Sequence, residues 1–261
     1  MSDLTQRIEH THVPVGSLAI FWISQAGFVF KTPNDKIIYV DPYLTDSLER
    51  LYGSFKRIMG TPIKAEEVVA DLVVSTHSHG DHLDVDAVPI IARNPHTRFA
   101  GSPDCIPEYQ KLGLPAERYL KIEKGKTLHF DGYSITGVYA DHGELAPDAL
   151  GIVLDVGGIK VWQVGDTGYC PEKMGAAFAM RPDIIIPPIN GAYGNLDGVT
   201  AAKLIQASGA KVAIPCHFWM FVEHNGNPAQ FLAACKEYAP AVTARLMSQG
   251  ELYVYSKVSG R

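Results

Sequence analysis

Two segments of the chain share one hydrophobic pattern, in which apolar and β-branched residues stand on both sides of a turn signal. The first covers residues 28–41 and turns at Pro33-Asn34-Asp35. The second covers residues 151–166 and turns at Gly157-Gly158. Each pattern predicts a β-hairpin. Because each second strand ends in an aspartate, we interpret the pair as two similar β-rich halves.

The remaining apolar positions predict helices that lie outside sheets. Helices are predicted at about residues 65–70, 85–93, 103–112, 171–180, 198–208 and 228–238. Further strands are predicted at about residues 72–75, 184–187, 212–215 and 252–255. Residues 44–61 fit neither pattern, and we expect a mobile loop there. Since neither a linker-like stretch nor a charge block divides the sequence, we predict one domain over residues 1–261.

Composition and charge narrow the class of protein. The 261 residues are 46% hydrophobic and 20% charged, as in ordinary globular domains. With 23 basic and 28 acidic residues, the net charge of −5 argues against a nucleic-acid partner. The apolar stretch at residues 15–30 is broken by polar residues, the polar N-terminus resembles no signal peptide, and the four cysteines form no C-x-x-C motif. We expect a cytoplasmic protein with reduced thiols and no membrane segment.

A cluster of potential metal ligands directly follows the apolar run at residues 72–75. It reads His77-Ser78-His79-Gly80-Asp81-His82, so four imidazole or carboxylate groups fall within six residues at a predicted strand end. We expect Gly80 to permit the tight backbone that lets these side chains converge. A polar turn is the alternative interpretation, but in a chain of this composition the pattern would arise by chance only about once in a thousand.

This motif resembles the H-x-H-x-D-H sequence of the metallo-β-lactamase superfamily, which follows a strand and contributes to a two-metal site. The family's later ligands are matched, in the same chain order, by His142 in Ala140-Asp-His-Gly143, by Asp166 in Val164-Gly-Asp-Thr-Gly168 and by His217 in Pro215-Cys-His217. The resemblance implies an α+β fold, namely the family's four-layer αββα sandwich. That fold agrees with the two predicted hairpins and their flanking helices.

The resemblance also implies how the ligands divide between two cations. One cation would be held by three histidines, the other by one aspartate and two histidines, with a second aspartate between them. The two sets and the bridging residue are His77, His79 and His142; Asp81, His82 and His217; and Asp166. A set of nitrogen and oxygen ligands without cysteine suits Zn, Mn or Fe as divalent cations. Such a pair activates a water molecule and polarises a carbonyl or phosphoryl oxygen, so hydrolysis is the expected reaction.

Several residues are assigned supporting roles. Asp81 is the expected catalytic residue, because its carboxylate can orient or deprotonate the attacking water. Asp41, in Val40-Asp-Pro42, resembles a position that supports the first motif by hydrogen bonding. Tyr193, Asn195 and Trp219 are expected to contact substrate, with simple packing as the alternative. The other five histidines are not expected to be ligands: His10, His12, His96, His129 and His224.

Within the superfamily, the chain resembles the cytosolic L-ascorbate-6-phosphate lactonase-like hydrolases. The shared stretches are Gly27-Phe-Val-Phe, Val40-Asp-Pro42, Met59-Gly-Thr-Pro-Ile63, Gly165-Asp-Thr-Gly168 and Pro215-Cys-His-Phe-Trp219. The chain departs from that branch in offering His142 where the lactonase has an aspartate. The resemblance implies a small anionic lactone of the sugar-phosphate type as substrate.

Only the unassigned segment at residues 44–61 offers basic side chains for the anionic group of such a lactone. They are Arg50, Lys56 and Arg57. Two alternatives to a lactonase stay open. One is a phosphodiesterase acting on a small or cyclic phosphodiester, and the other is a non-catalytic metal-binding or sensing protein. A homo-oligomer also stays open.

Overall fold

The computed structural model describes residues 1–257, which form fourteen strands and seven α-helices. The strands are β1 (Ser17–Ser24), β2 (Gly27–Lys31), β3 (Ile37–Val40), β4 (Leu72–Ser75), β5 (Arg98–Gly101), β6 (Tyr119–Lys121), β7 (Thr127–Phe130), β8 (Tyr133–Tyr139), β9 (Leu150–Val156), β10 (Ile159–Gln163), β11 (Ile184–Ile186), β12 (Val212–Ala213), β13 (Thr243–Ala244) and β14 (Leu252–Ser256). The helices are α1 (Asp3–His10), α2 (Ser47–Tyr52), α3 (Ala87–Ile91), α4 (Cys105–Lys111), α5 (Gly175–Ala179), α6 (Gly198–Ser208) and α7 (Pro228–Tyr238). Short 3-10 helices cover Ala65–Glu67, Ala116–Arg118, Gly143–Leu145 and Pro171–Lys173.

The strands form two seven-stranded sheets that are built alike. The order is β14-β1-β2-β3-β4-β5-β6 in the first sheet and β13-β12-β11-β10-β9-β8-β7 in the second. In the first sheet the three pairings from β14 to β3 are antiparallel, and the three from β3 to β6 are parallel. The second sheet repeats this pattern from β7 through β10 to β13. The prediction of two similar β-rich halves is confirmed.

Strand β1 shows why the sheets are layered. Its sequence is a nearly continuous apolar run, and all eight of its residues are buried. Leu18 and Ile20 belong to the core that also holds residues of the second sheet. Ala19 and Phe21, which point to the opposite face, belong to the core formed with residues of α1, α3 and α4. Because α5, α6 and α7 contribute residues to the first of these cores, the order of layers is αββα.

The two predicted hairpins are β2–β3 and β9–β10. At the second turn, Gly157 and Gly158 both have positive φ, at 57° and 87°, which glycine adopts without steric cost. The predicted helices at residues 198–208 and 228–238 are α6 and α7, capped by the side chains of Asp197 and Asn227. Most of the other predicted helices are shorter than expected. At residues 171–180, the non-helical backbone of Met174 separates a 3-10 turn from α5.

The structure corrects the expectation of a loop at residues 44–61. This segment contains α2, which ends where Gly53 adopts a left-handed φ of 68°. Beyond the helix, Arg57 pairs with Phe221 in an isolated antiparallel bridge. The sequence also gave no prediction for α1, although Leu4 and Ile8 lie four residues apart and are both buried. Within residues 1–257, none of the helices has the length and apolar character that crossing a bilayer requires.

Candidate metal centre

The predicted ligands follow the ends of four strands. The first motif comes directly after β4, and His142, Asp166 and His217 come shortly after β8, β10 and β12. These strands belong to different sheets, and their ends meet at the same edge of the sandwich. Distances of 3 to 4 Å between side chains of the predicted ligands show that the strand ends meet. Residues up to 140 positions apart in the chain are thereby brought into one buried cluster.

Three histidines form one side of this centre. The Nε2 atom of His77 lies 3.0 Å from Nδ1 of His79, and the ring of His142 lies 5.3 Å and 5.1 Å from the two rings, centre to centre. One ring nitrogen of each residue lies within 4.8 Å of the others. The three residues are therefore arranged so that they can share one cation.

The other side brings together two carboxylates and two histidines. His82 Nε2 lies 3.3 Å from His217 Nε2, which in turn lies 3.3 Å from an oxygen of Asp81 and 3.3 Å from an oxygen of Asp166. Asp166 also lies 3.7 Å from His142 Nε2. Asp166 thus lies between the two groups, at the position expected for the bridging residue.

Asp41 supports this arrangement through hydrogen bonds. It is fully buried, and its two oxygens accept hydrogen bonds from the backbone N–H and the hydroxyl of Thr76, at 2.7 Å and 2.8 Å. The second oxygen also lies 2.9 Å from His82 Nδ1. A proton donated from Nδ1 to Asp41 leaves Nε2 as the nitrogen that faces the centre and could bind a cation.

The buried polar atoms fit a pair of divalent cations. Two imidazole nitrogens face each other at 3.3 Å between His82 and His217, and one oxygen of Asp166 is buried without a hydrogen-bond partner. Electron pairs that converge in this way are stabilised by positive charge. The ligand atoms are nitrogen and oxygen, as Zn, Mn and Fe accept.

The titration behaviour of the side chains agrees with a site for positive charge. Burial opposes ionisation of Asp81 and Asp166, but neighbouring His82 and His217 outweigh it and hold both pKa values well below the usual range. Burial likewise opposes charge on His217, yet Asp166 and Asp81 raise its pKa to about 9. The carboxylates are therefore ionised, and they attract either protons or cations to the adjacent imidazoles.

Gly80 has a different role from the one expected. Its φ is not positive, so its backbone does not require glycine. A Cβ at this position would lie 2.7 Å from a methyl carbon of Leu48 in α2. Glycine thus lets the Leu48 side chain of α2 pack directly against the ligand loop, and a larger residue would require that side chain to move.

A cavity of about 790 Å³ opens at the centre. Tyr193 and Asn195 line it, and the Asn195 side-chain amide donates to Asp166 at 2.7 Å. Trp219 does not line it. His217 and Trp219 both have positive φ, and the indole is half exposed beside a separate groove lined by residues 225–229. The structure therefore does not place Trp219 with Tyr193 and Asn195 on the wall of this cavity.

The basic side chains expected to contact an anionic substrate are engaged elsewhere. The guanidinium of Arg57 donates to the backbone carbonyls of Tyr43, Thr45 and Met59 and lies outside the cavity. Arg50 forms a two-point ion pair with Asp86. Lys56 is exposed, and its ammonium lies 3.7 Å from Glu49.

Two residues at the centre were not predicted from the sequence. The ring of His224 stacks on that of His217 at 4.6 Å, and its ligand atoms group with those of Asp81 and His217. The side chain of Gln25 is fully buried, and its Nε2 lies 2.7 Å from Asp81. Positive φ values at Ser24 and Gln25, 93° and 51°, mark the turn that presents this amide. A lone glutamine in a hairpin gives no pattern that could reveal such a role.

Comparison with known proteins agrees with this geometry. The sequence profile described as "Beta-lactamase superfamily domain" matches residues 19–217. A UPF0173 metal-dependent hydrolase of Polynucleobacter asymbioticus is 31% identical over 241 residues, covering 85% of this chain and 81% of that protein. Another from Archaeoglobus fulgidus is 28% identical and covers 92% of this chain and all of that protein.

Solved structures show the same fold. Igni18, described as a novel metallo hydrolase from Ignicoccus hospitalis, superposes with a TM-score of 0.76 at 22% identity, over 92% of this chain and 99% of its own. The isothiocyanate hydrolase from Delia radicum gut bacteria superposes with a TM-score of 0.72 at 17% identity, over 91% and 99% of the two chains. With the family profile covering most of its length, the chain belongs to the metallo-β-lactamase superfamily.

Proposed function

We propose that this chain, a metal-dependent hydrolase of the superfamily, opens a small lactone that carries an apolar substituent. The observation that supports the proposal is the composition of the cavity wall beside the metal centre. Eight aliphatic or aromatic side chains line it: Leu48, Leu51, Tyr52, Phe55, Val85, Leu112, Leu145 and Tyr193. An apolar wall with polar groups at one end favours a substrate that has an apolar part and a polar part.

The charges at the wall favour a neutral substrate. Apart from histidines, Lys111 is the one basic residue among the described residues that line the cavity. Its ammonium is paired with the carboxylate of Glu108, which lines the same cavity. A phosphate group would therefore find no uncompensated cation on this wall. We accordingly replace the anionic lactone expected from the sequence with a neutral one.

The centre's own residues supply the remaining chemistry. Divalent cations held by the two ligand groups would supply an activated water and a polarised carbonyl. The ionised Asp81 carboxylate can accept a proton from the attacking water and return it to the ring oxygen that leaves. Asn195 keeps Asp166 in place by its hydrogen bond, and the Tyr193 ring bounds the space beside it.

The proposal is tested with γ-lactones of increasing alkyl chain length, assayed with the zinc- and manganese-loaded protein. Each methylene that enters the apolar cavity contributes about 0.8 kcal/mol, so kcat/KM should rise up to about fourfold per methylene until the cavity is filled. A phosphorylated sugar lactone of similar size should be a poorer substrate. The same metal-loaded wild-type preparation is used at every chain length, so that differences in rate do not reflect differences in metal content.

Three other results would contradict the proposal. Faster opening of the phosphorylated lactone would favour the anionic substrate expected from the sequence. Turnover of bis(p-nitrophenyl) phosphate without lactone opening would identify a phosphodiesterase. Inactivity toward every ester and phosphodiester, with metal bound, would favour a metal-binding or sensing protein.

A further inference from the structure

Gln25 occupies a position from which one amide can order three groups of the centre. Its Nε2 lies 2.7 Å from Asp81 Oδ2, 3.1 Å from His217 Nε2 and 3.2 Å from His224 Nδ1. A carboxylate without a proton only accepts hydrogen bonds, so the N–H₂ end of the amide must face Asp81. This contact fixes the orientation of the whole Gln25 side chain.

The second amide proton of Gln25 then determines the tautomer of His224. His217 Nε2 also lies within 3.3 Å of Asp81 and Asp166 and is one of the nitrogens assigned to a cation. The acceptor that remains for the second N–H is His224 Nδ1. An imidazole that accepts at Nδ1 in its neutral form carries its proton on Nε2.

The surroundings of His224 hold its ring at the cavity wall. The ring packs edge-to-face against Phe55, Phe221 and Tyr193, at 5.9 Å, 5.1 Å and 5.4 Å between ring centres. His224 itself lines the cavity. An Nε2–H on this ring would place a polar donor within a mostly aromatic part of the wall.

We propose that His224 is a catalytic residue that donates a hydrogen bond from Nε2 to an oxygen of the substrate's ester group. Gln25 is the positioning residue that keeps His224 in the required tautomer. This inference rests on the proposed hydrolysis of a lactone. The proposed residue adds a hydrogen-bond donor beside the cations. A donor already held in place there stabilises the negative charge that develops on the substrate's ester oxygen.

Three single variants and one double variant separate this role from metal binding and from packing. His224→Phe keeps the aromatic contacts and removes both nitrogens, and it should lower kcat on the order of 100-fold while binding the same amount of zinc. His224→Gln restores an N–H donor and should recover part of that loss. Gln25→Leu should lower kcat by a similar factor. In the Gln25→Leu background, His224→Phe should cause little further loss of kcat, because the ordered His224 tautomer that it removes has already been lost.

The tautomer itself is measured without substrate. In the diamagnetic zinc-loaded protein with ¹⁵N-labelled histidine, long-range ¹H–¹⁵N spectra should show His224 protonated on Nε2 and not on Nδ1. In Gln25→Leu this preference should be lost.

Four outcomes would overturn the inference: loss of zinc in His224→Phe, which would make His224 a ligand; additive losses in the double variant; unchanged kcat in His224→Phe; or a proton on Nδ1 in the wild type. Failure of the proposed function looks different. The wild type would open no lactone, and the ring spectrum would still decide whether Gln25 orders His224.

Discussion

Asp41 Oδ2 lies 2.9 Å from Nδ1 of His82, and both side chains are fully buried. The contact joins the end of β3 to the ligand loop that follows β4, two strands that are parallel neighbours. It determines which nitrogen His82 presents to the centre. The carboxylate thus acts on the metal site without touching it.

Removing the charge of Asp41 should weaken metal binding and leave the fold intact. In Asp41→Asn the amide oxygen can still accept from Thr76, but His82 loses its ionised partner. Zinc affinity, measured by competition with a chromogenic chelator, should fall about 10- to 100-fold. The control is Asp86→Asn, which breaks the exposed pair with Arg50. Equal affinity in Asp41→Asn and the wild type would show that Asp41 does not support the ligand.

Asp81 should matter more for turnover than for folding. Asp81→Asn preserves the shape of the side chain and removes the carboxylate that would accept a proton. We expect kcat on the best lactone to fall at least about 100-fold, with the melting temperature changed by only a few degrees. Asp148→Asn, at an exposed position, serves as the control. Wild-type turnover in Asp81→Asn would rule out the catalytic role.

The cavity wall should control preference among substrates. Leu51 is exposed and lines the cavity, while Ile58 is equally apolar and exposed but lies outside it. Leu51→Ser should therefore raise KM for the long-chain lactone several-fold and leave a short-chain lactone nearly unchanged. Ile58→Ser should change neither. Equal effects of the two substitutions would place the apolar group of the substrate elsewhere.

Asp183, directly before β11, should make stability depend on pH. Burial raises its pKa, but hydrogen bonding by the Lys160 backbone and the ammonium of Lys257, 3.0 Å away, outweigh this and lower the pKa below the ordinary value. A lowered pKa stabilises the fold above the pKa of the unfolded chain, and this contribution is lost as pH falls.

The variant Asp183→Asn should therefore be less stable than the wild type at pH 7, by about 1 kcal/mol in urea unfolding. The difference should shrink as the pH is lowered from about 4, the usual pKa of an aspartate in an unfolded chain, through the lower pKa of Asp183 in the folded protein. A difference that stayed constant over this range would show that the charge of Asp183 is not involved.

The sequence was most informative where chemistry or symmetry repeats. The H-x-H-x-D-H motif and the family resemblance indicated the groups that meet at the centre, and the repeated hairpin pattern indicated the two similar halves. Gln25 and His224 escaped prediction because each stands alone in the chain, and only the meeting of β1–β2 with the segment after β12 brings them together. Trp219 lies outside the cavity for the converse reason: proximity to His217 in the sequence does not fix the direction of its side chain, since both residues have left-handed backbone conformations.

The segment at residues 44–61 shows another limit of sequence patterns. Helix α2 is only six residues long, and such a short helix is stabilised by its packing rather than by its own sequence. Leu48 packs with Tyr43, Met220 and Phe221, residues that lie far apart in the chain. Since four of the eight apolar side chains of the cavity wall come from this segment, the apolar character of the cavity was not evident from the sequence.

The central claim is that two divalent cations are held at the centre, with Asp166 between them. It is tested most directly by elemental analysis of the protein after dialysis with excess zinc or manganese and removal of free metal, for the wild type and Asp166→Ala. The account predicts close to two ions per wild-type chain, and loss of both in the variant. Absence of bound transition metal from the wild type, with no uptake on titration, would contradict it.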